Sequence, residues 1–426
     1  MLLACACTWS EAIAEESVRL PAPSSSAQRL YSQAKADILQ LRVLLRSGRT
    51  QSTVGSGFLI GTSNLVVTNY HVISQIALEP ETYVGEYVDT YGKRGTVELL
   101  AVDVLHDLAV VRINQAGSGF FRVPEKLPVL TQGQYLYSLG NPLDLGFAIS
   151  EGSYNGVINR SFYDQLMFTG PINSGMSGGP NVTVDGRVAG VNVSKRLDGE
   201  LVSFLVPVCY VRDLLKKVDI KQTPPRDFKL IVGQQLLQYQ AAMMDRLNNT
   251  RLTFKDLSPY RVPVWESEQV RCWGWSNSKQ KMPYQIDQVS CAMESAIFVS
   301  GQLSTGHVSI RHKIIRSSEL GTLRFSTLAS NLFKNQGFGS HKDQNHTPPQ
   351  CIEQFVSNEK LPMRAVLCVR AYRKFPELYD FALLTASTDE SQMSLQSRID
   401  TSGVSYESGL AISRTFLQAI SRGDRP

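Results

Sequence analysis

Gly170-Pro171-Ile172-Asn173-Ser174-Gly175-Met176-Ser177-Gly178-Gly179-Pro180 is the stretch whose reading decides the fold. A serine among glycines sits on a tight turn, because Gly175, Gly178 and Gly179 reach backbone angles that a side chain forbids. Such a turn lifts the Ser177 hydroxyl to the surface and aims the N–H groups of Gly175 and Ser177 at one spot. Two convergent amides form an oxyanion hole, in which losing one donor typically costs about 3 to 4 kcal/mol of transition-state stabilisation. An alcohol alone is a weak nucleophile. It needs a histidine to accept its proton and a carboxylate to hold that histidine in the right tautomer.

Both partners stand upstream. Thr68-Asn69-Tyr70-His71-Val72-Ile73 follows the apolar run Leu65-Val66-Val67, so His71 lies where a strand ends and a helical turn starts. Asp103-Val104-Leu105-His106-Asp107-Leu108-Ala109-Val110-Val111 then puts Asp107 at the mouth of a buried strand. The chain order is His, Asp, Ser. Unrelated folds assemble the same triad in other orders, so the order speaks for fold as well as chemistry. Two neighbours compete for these roles. His106, in an extended segment, would point off the face opposite Asp107 and is read as a surface histidine. Asp103 is read as opening the turn before the strand.

With Gly55-Ser56-Gly57-Phe58, Gly140-Asn141-Pro142 and Phe204-Leu205-Val206-Pro207 added to these three stretches, a little under half of the chain resembles the trypsin-like serine peptidases of the bacterial HtrA (Deg) type. The resemblance implies His71 as general base, Asp107 as its orienter, Ser177 as nucleophile, and the amides of Gly175 and Ser177 as oxyanion donors. It implies substrate contacts from Pro171, Ile172, Asn173, Val191, Asn192 and Val193. No acidic residue lies there, so a small or medium apolar side chain is the expected preference. Met176 departs from the asparagine more common in the family and is expected to alter substrate contacts. Polypeptides are the implied substrates, no metal or organic cofactor is needed, and many relatives form homo-oligomers.

Periodicity supports a mostly β architecture. Residues 38–45 alternate apolar and polar, and further strand-like runs cover 55–60, 65–68, 83–88, 95–102 and 108–113, then 135–142, 148–159, 165–169, 187–194 and 201–206. Short strands parted by Gly, Asn and Asp turns predict an antiparallel, chymotrypsin-like double β-barrel with the triad in the cleft between barrels. Ser26 is expected to cap a short helix through Lys35, and Val208 to Lys217 to form a closing helix. Four segments follow: an export-signal remnant and spacer (1–25), a protease-like unit (26–222), a linker with an amphipathic helix over 228–247 (223–250), and a smaller α+β unit (251–426). The break is set at Thr223-Pro224-Pro225, since prolines stop helices. In the last unit, strands are expected over 296–303, 308–315, 365–371 and 381–385, with a final helix over 407–420.

Composition excludes some classes. A chain of 426 residues with 42% apolar and 19% charged residues is ordinary for a globular protein, and its formal charge of +5 is scattered. No basic cluster builds a nucleic-acid footprint, and no run approaches the roughly 20 apolar residues that span a membrane. Met1-Leu2-Leu3-Ala4-Cys5-Ala6-Cys7 and Ala12-Ile13-Ala14 read as the end of an export signal, which predicts a periplasmic or secreted protein. Of seven cysteines, Cys272, Cys291, Cys351 and Cys368 fall in the last unit and can pair in three ways; the local pairs 272–291 and 351–368 are the simplest. Zinc is the rival reading, with His307, His312, His341 and His346 nearby, but no Cys-x-x-Cys supports it. Trp265, Trp273 and Trp275 are read as a core cluster rather than an exposed aromatic surface, and the sequon Asn181-Val182-Thr183 as chance. A serine endopeptidase is the function these observations favour. A peptide- or misfolded-chain-binding protein on the same scaffold is the second.

Overall fold

Alternation within single strands, with both faces apolar, builds the first half of the molecule. Strands β1 (Ile38–Leu45), β2 (Gln51–Leu59), β3 (Leu65–Thr68), β4 (Tyr83–Asp89), β5 (Arg94–Asp103) and β6 (Leu108–Arg112) close into a barrel in the order β1-β2-β3-β6-β5-β4. A second barrel, β10-β11-β12-β9-β8-β7, is closed by β7 (Tyr135–Gly140), β8 (Ala148–Ile158), β9 (Gln165–Phe168), β10 (Pro180–Val182), β11 (Val188–Lys195) and β12 (Ser203–Pro207). The computed structural model describes residues 24–126, 129–159, 161–195, 202–218, 225, 227–250, 252–301, 303–333, 338, 343–358 and 361–423. The expected export signal, the Thr223-Pro224 break and His341 lie outside them.

Strand β6 shows how one run serves two cores. Successive side chains leave a strand on opposite faces, so Leu108 and Val110 join Phe58, Val67, Leu139, Val191 and Val206 between the barrels. Ala109 and Val111 face the other way, into a core with Leu39, Leu41 and Val66. Burying both faces explains why this strand reads as an unbroken apolar run. Helix α1 (Ser25–Ala34) lays Ala27 and Leu30 on the inter-barrel core; its cap is Ser24, which accepts from the Ala27 amide, rather than Ser26. Helix α2 (Tyr70–Leu78) starts directly after β3 and carries His71, and α3 (Val208–Lys216) closes the inter-barrel core with Val208, Val211 and Leu214.

The remainder is α+β. Helix α4 (Phe228–Asn249) leads into β13 (Thr253–Leu257), β14 (Tyr260–Val264), β15 (Val270–Ser276), β16 (Gln285–Met293), β17 (Ile297–Ser300), β18 (Leu303–Thr305), β19 (His307–Arg316), α5 (Thr322–Leu332), β20 (Gln350–Asn358), β21 (Leu361–Ala371), β22 (Tyr379–Ser387), β23 (Met393–Val404), α6 (Tyr406–Gln418) and β24 (Ser421–Arg422). A seven-stranded antiparallel sheet, β15-β16-β19-β23-β22-β21-β20, dominates it, and β13-β14-β24 form a small second sheet. The two cysteine pairs form as the local spacing implied: Cys272–Cys291 joins β15 to β16 and Cys351–Cys368 joins β20 to β21, each between directly opposed residues. Two of the histidines weighed as zinc ligands are engaged elsewhere: His312 bonds Ser397 Oγ and Pro263 O, and burial pushes its pKa down to about 4. His346 pairs with Asp343. Only Trp265 is core; Trp273 and Trp275 are more than half exposed on edge strand β15, so the three do not cluster.

One expected strand, 296–303, is instead the β17–β18 hairpin, bent at Gly301 with φ +50°. This hairpin ties the two halves together. Ile297, Val299 and Leu303, with Phe228, Val232 and Leu236 of α4, share one core with Tyr70, Val72 and Ile73 of α2. The fully buried Tyr70 donates its hydroxyl to Val299 O at 3.0 Å. Burial first, and the charge of Asp107 second, push the Tyr70 pKa far up, so the hydroxyl remains a donor. Tyr70→Phe leaves that buried carbonyl without a partner; the expected loss is about 1 to 3 kcal/mol in urea unfolding, measured at unchanged m-value.

Candidate active site

Backbone geometry at the end of β3 places the base. Asn69 precedes α2 in an extended conformation, and its side-chain amide donates to Asp107 O at 2.8 Å, while the Tyr70 amide donates to the same carbonyl at 3.1 Å. Asp107 therefore has its main chain fixed from two sides, and it holds a left-handed φ of +52°. A non-glycine residue there stores strain of order 1 to 3 kcal/mol, sustained only because its surroundings over-determine it. One carboxylate oxygen accepts the His71 amide at 2.8 Å; the other pairs with His71 Nδ1 at 2.6 Å. With Nδ1 engaged, Nε2 is the nitrogen left to face a proton donor.

Three forces set the protonation of His71. Burial pulls its pKa down, but the negative charge of Asp107 and the hydrogen bond to it outweigh that, so the net shift is upward from 6.5. The protonated pair thus contributes stability that is complete below the ordinary value and lost as pH rises through the raised one. The free base, the form able to accept a proton, grows in over that same interval. An imidazole NMR titration is expected to place the His71 midpoint above 6.5 and to find it lowered in Asp107→Asn; a parent midpoint at or below 6.5 contradicts the pairing.

The serine turn is bolted to the first barrel through Ser56. The Ser56 amide donates to Ser177 O at 2.8 Å, and its hydroxyl donates to Gly175 O at 2.6 Å while accepting from the Asn141 amide at 2.9 Å. Thr68 Oγ1 in turn donates to Ser56 O at 2.7 Å. Two glycines are obligatory here. A Cβ on Gly178, whose φ is +84°, would lie 2.3 Å from Ser56 O; one on Gly175, at φ +91°, would lie 2.3 Å from Asn141 O. The carbonyls of Gly175 and Ser177 are thereby engaged by Ser56, and among the described residues neither amide has an acceptor. The Ser177 hydroxyl lies 3.4 Å from Val193 O, its one hydrogen bond among the described residues.

Placement of the expected substrate contacts divides them. Pro171 and Asn173 are exposed and Val193 is half-buried, so these three reach the cleft surface. Ile172 is buried in the second barrel's own core. Val191 belongs to the core between barrels, and Asn192 is a fully buried strut whose amide reaches Leu139 O and Met176 O at 3.3 Å each. Met176 also turns inward, against Ile172 and Phe168, so its side chain fills the barrel and offers no substrate contact. Buried Asn181 has no access for a glycan.

His106 is the larger surprise. It is not a surface histidine: residues 104–107 form a turn, and its Nδ1 pairs with Asp103 at 2.7 Å while the ring stacks on Tyr210, centroids 3.8 Å apart. A period-two argument fails in a turn. Sequence reasoning misses the bracing role of Ser56; a small hydroxyl residue set between Gly55 and Gly57 is the signal that points to it. Ser56→Ala is expected to lower stability by about 1 to 3 kcal/mol by stranding Gly175 O and the Asn141 amide, and to slow fluorophosphonate labelling of Ser177.

A histidine–carboxylate pair on one barrel and a serine turn with two unused amides on the other define a trypsin-like peptidase domain. The two-barrel half of this chain is similar to the trypsin-like serine peptidases of the HtrA type. Residues 55–191 match the family model of the trypsin-like peptidase domain. Relatives include the mitochondrial serine protease HTRA2 of Drosophila erecta, 30% identical over 45% of this chain and 45% of its own, and that of Drosophila ananassae, 32% identical over 45% and 44%. Among solved structures, a serine endoprotease from Yersinia pestis is similar over 46% of this chain and 67% of its own (24% identity, TM-score 0.39). A protease from M. tuberculosis in its active form is similar over 46% and 86% (18% identity, TM-score 0.40). The chain spans about half the length of the curated relatives it matches.

Proposed function

We propose that this protein is a serine endopeptidase that hydrolyses polypeptides through an acyl-enzyme. The observation that carries the reading is the His71–Asp107 pair, at 2.6 Å, beside a serine turn whose Gly175 and Ser177 amides are unspent. In the proposed cycle Ser177 Oγ leaves Val193 O, gives its proton to His71 Nε2 and attacks the scissile carbonyl. The carbonyl oxygen, now anionic, is held by the Gly175 and Ser177 amides. His71 hands the proton to the leaving amine as the C–N bond breaks; it then takes a proton from the water that attacks the ester and returns it to Ser177 Oγ as the acid leaves. Asp107 stabilises the imidazolium in both halves and stays ionised. No step calls on a metal or organic cofactor.

A periplasmic or secreted location belongs to the proposal. It is supported by Cys272–Cys291 and Cys351–Cys368, since paired cysteines persist in oxidising compartments. Self-association rests on the family resemblance alone, and sedimentation velocity reads it. Among the described residues no helix is long and apolar enough to cross a membrane.

The binding-protein reading draws on one observation, the Ser177 hydroxyl resting on Val193 O rather than His71. A fluorophosphonate probe separates the two. Rapid labelling of Ser177, abolished in Ser177→Ala together with a fall in peptide turnover of roughly 10⁴ to 10⁶, is expected for the enzyme. Inertness of Ser177 in the presence of peptide supports the binder.

A further inference from the structure

Phe298 stands beside the histidine of the proposed triad, and it comes from the other half of the chain. On β17 the flanking residues Ile297 and Val299 are buried in the core shared with α2, whereas Phe298 between them is half-buried. Its ring centroid lies 6.0 Å from that of His71, at an interplanar angle of 75°, and 6.3 Å from that of Tyr70. The hairpin is tied down on both strands. Tyr70 donates to Val299 O at 3.0 Å, and Tyr372, itself buried, donates to Ser304 O at 3.4 Å; Ser304 is the residue paired with Phe298 across the hairpin. A ring so held does not follow the substrate; it presents a fixed apolar edge.

The His71 side chain keeps 28% of its surface open. The open part is where a reacting peptide must pass, so whatever lies against the imidazole also lies against the peptide residues that flank the cut bond. Phe298 also packs against the shared core but is only half-buried, which leaves it apolar surface that a ligand can cover. Covering it removes that surface from water, a gain available only to an apolar substrate side chain.

From this juxtaposition we infer that Phe298 is a specificity-determining residue, by which the C-terminal half supplies the apolar wall for a substrate side chain next to the scissile bond. The inference rests on the peptidase reading and adds a substrate class to it: polypeptides with a large apolar residue beside the cleaved bond.

The test uses the full chain, as parent, Phe298→Ala and Phe298→Leu, against internally quenched peptides carrying Gly or Leu at each position flanking the cut. The parent is expected to favour Leu at one flanking position. Phe298→Ala is expected to cut that preference about tenfold through KM, with kcat within about threefold, and Phe298→Leu to restore most of it. A Leu-over-Gly ratio unchanged in both variants overturns the wall. If Phe298→Ala does not fold by thermal melting, the polar Phe298→Gln takes its place: a clearly reduced ratio upholds the wall and an unchanged one overturns it. A parent that neither cleaves nor reacts with fluorophosphonate sinks the peptidase reading instead. The wall is then read from anisotropy of the same labelled peptides on Ser177→Ala with and without Phe298→Ala, where equal Leu-over-Gly affinity ratios reject it and a lost preference upholds it.

Discussion

Everything at the site depends on one buried serine that joins two barrels. Ser56 grips the nucleophile turn at both carbonyls, Gly175 O with its hydroxyl and Ser177 O with its amide. Engaging the carbonyls on one side leaves the amides for the other. The turn's glycines follow from the same contact, because Gly178 comes too close to Ser56 O to carry a side chain. Thr68 and Asn69 continue the chain of bonds from Ser56 to Asp107, so the strand that braces the nucleophile and the strand that delivers the base are held as one piece. Hydrogen bonds between buried groups contribute modestly when made and are expensive when broken, which is why such a lattice gives positional accuracy more than bulk stability.

Much of this was legible from sequence because local chemistry and global fold agree at these residues. Glycines around Ser177, an apolar run ending at His71, and Asp107 before Leu108-Ala109-Val110-Val111 each dictate a conformation that the barrels then use. Apart from the start of β4, which follows Glu79-Pro80-Glu81-Thr82, the strands of the first barrel start and stop near a Gly, Asn or Asp turn. The strand β10, only Pro180–Val182, escaped because three residues opening on a proline carry no period to detect. His106 was misplaced because period-two reasoning was extended into a turn, where Asp107 has positive φ. Val191, Asn192 and Met176 went wrong for another reason: proximity to the nucleophile in sequence does not say which face of the strand a side chain takes.

The C-terminal half was less readable. Its edge strand β20 is exposed on nearly every residue, Ile352 and Phe355 included, so no alternation marks it. The 296–303 stretch reads as one strand because its apolar residues continue through the turn at Gly301. Nor does sequence spacing show that Phe298 meets His71. That contact is tertiary, made by a hairpin and a helix far apart in the chain, and only the assembled core brings them together.

The hairpin also sets an order on how the molecule comes into being. A ribosome releases α2 long before it makes β17 and β18, so the nascent first barrel emerges with one flank of its histidine-bearing helix bare and Tyr70 without its acceptor. Domains that close their own cores can finish folding as they leave the tunnel. This one borrows part of its lining from residues still to be translated, and a newborn chain stopped short of that hairpin carries the His71–Asp107 pair on an unfinished support.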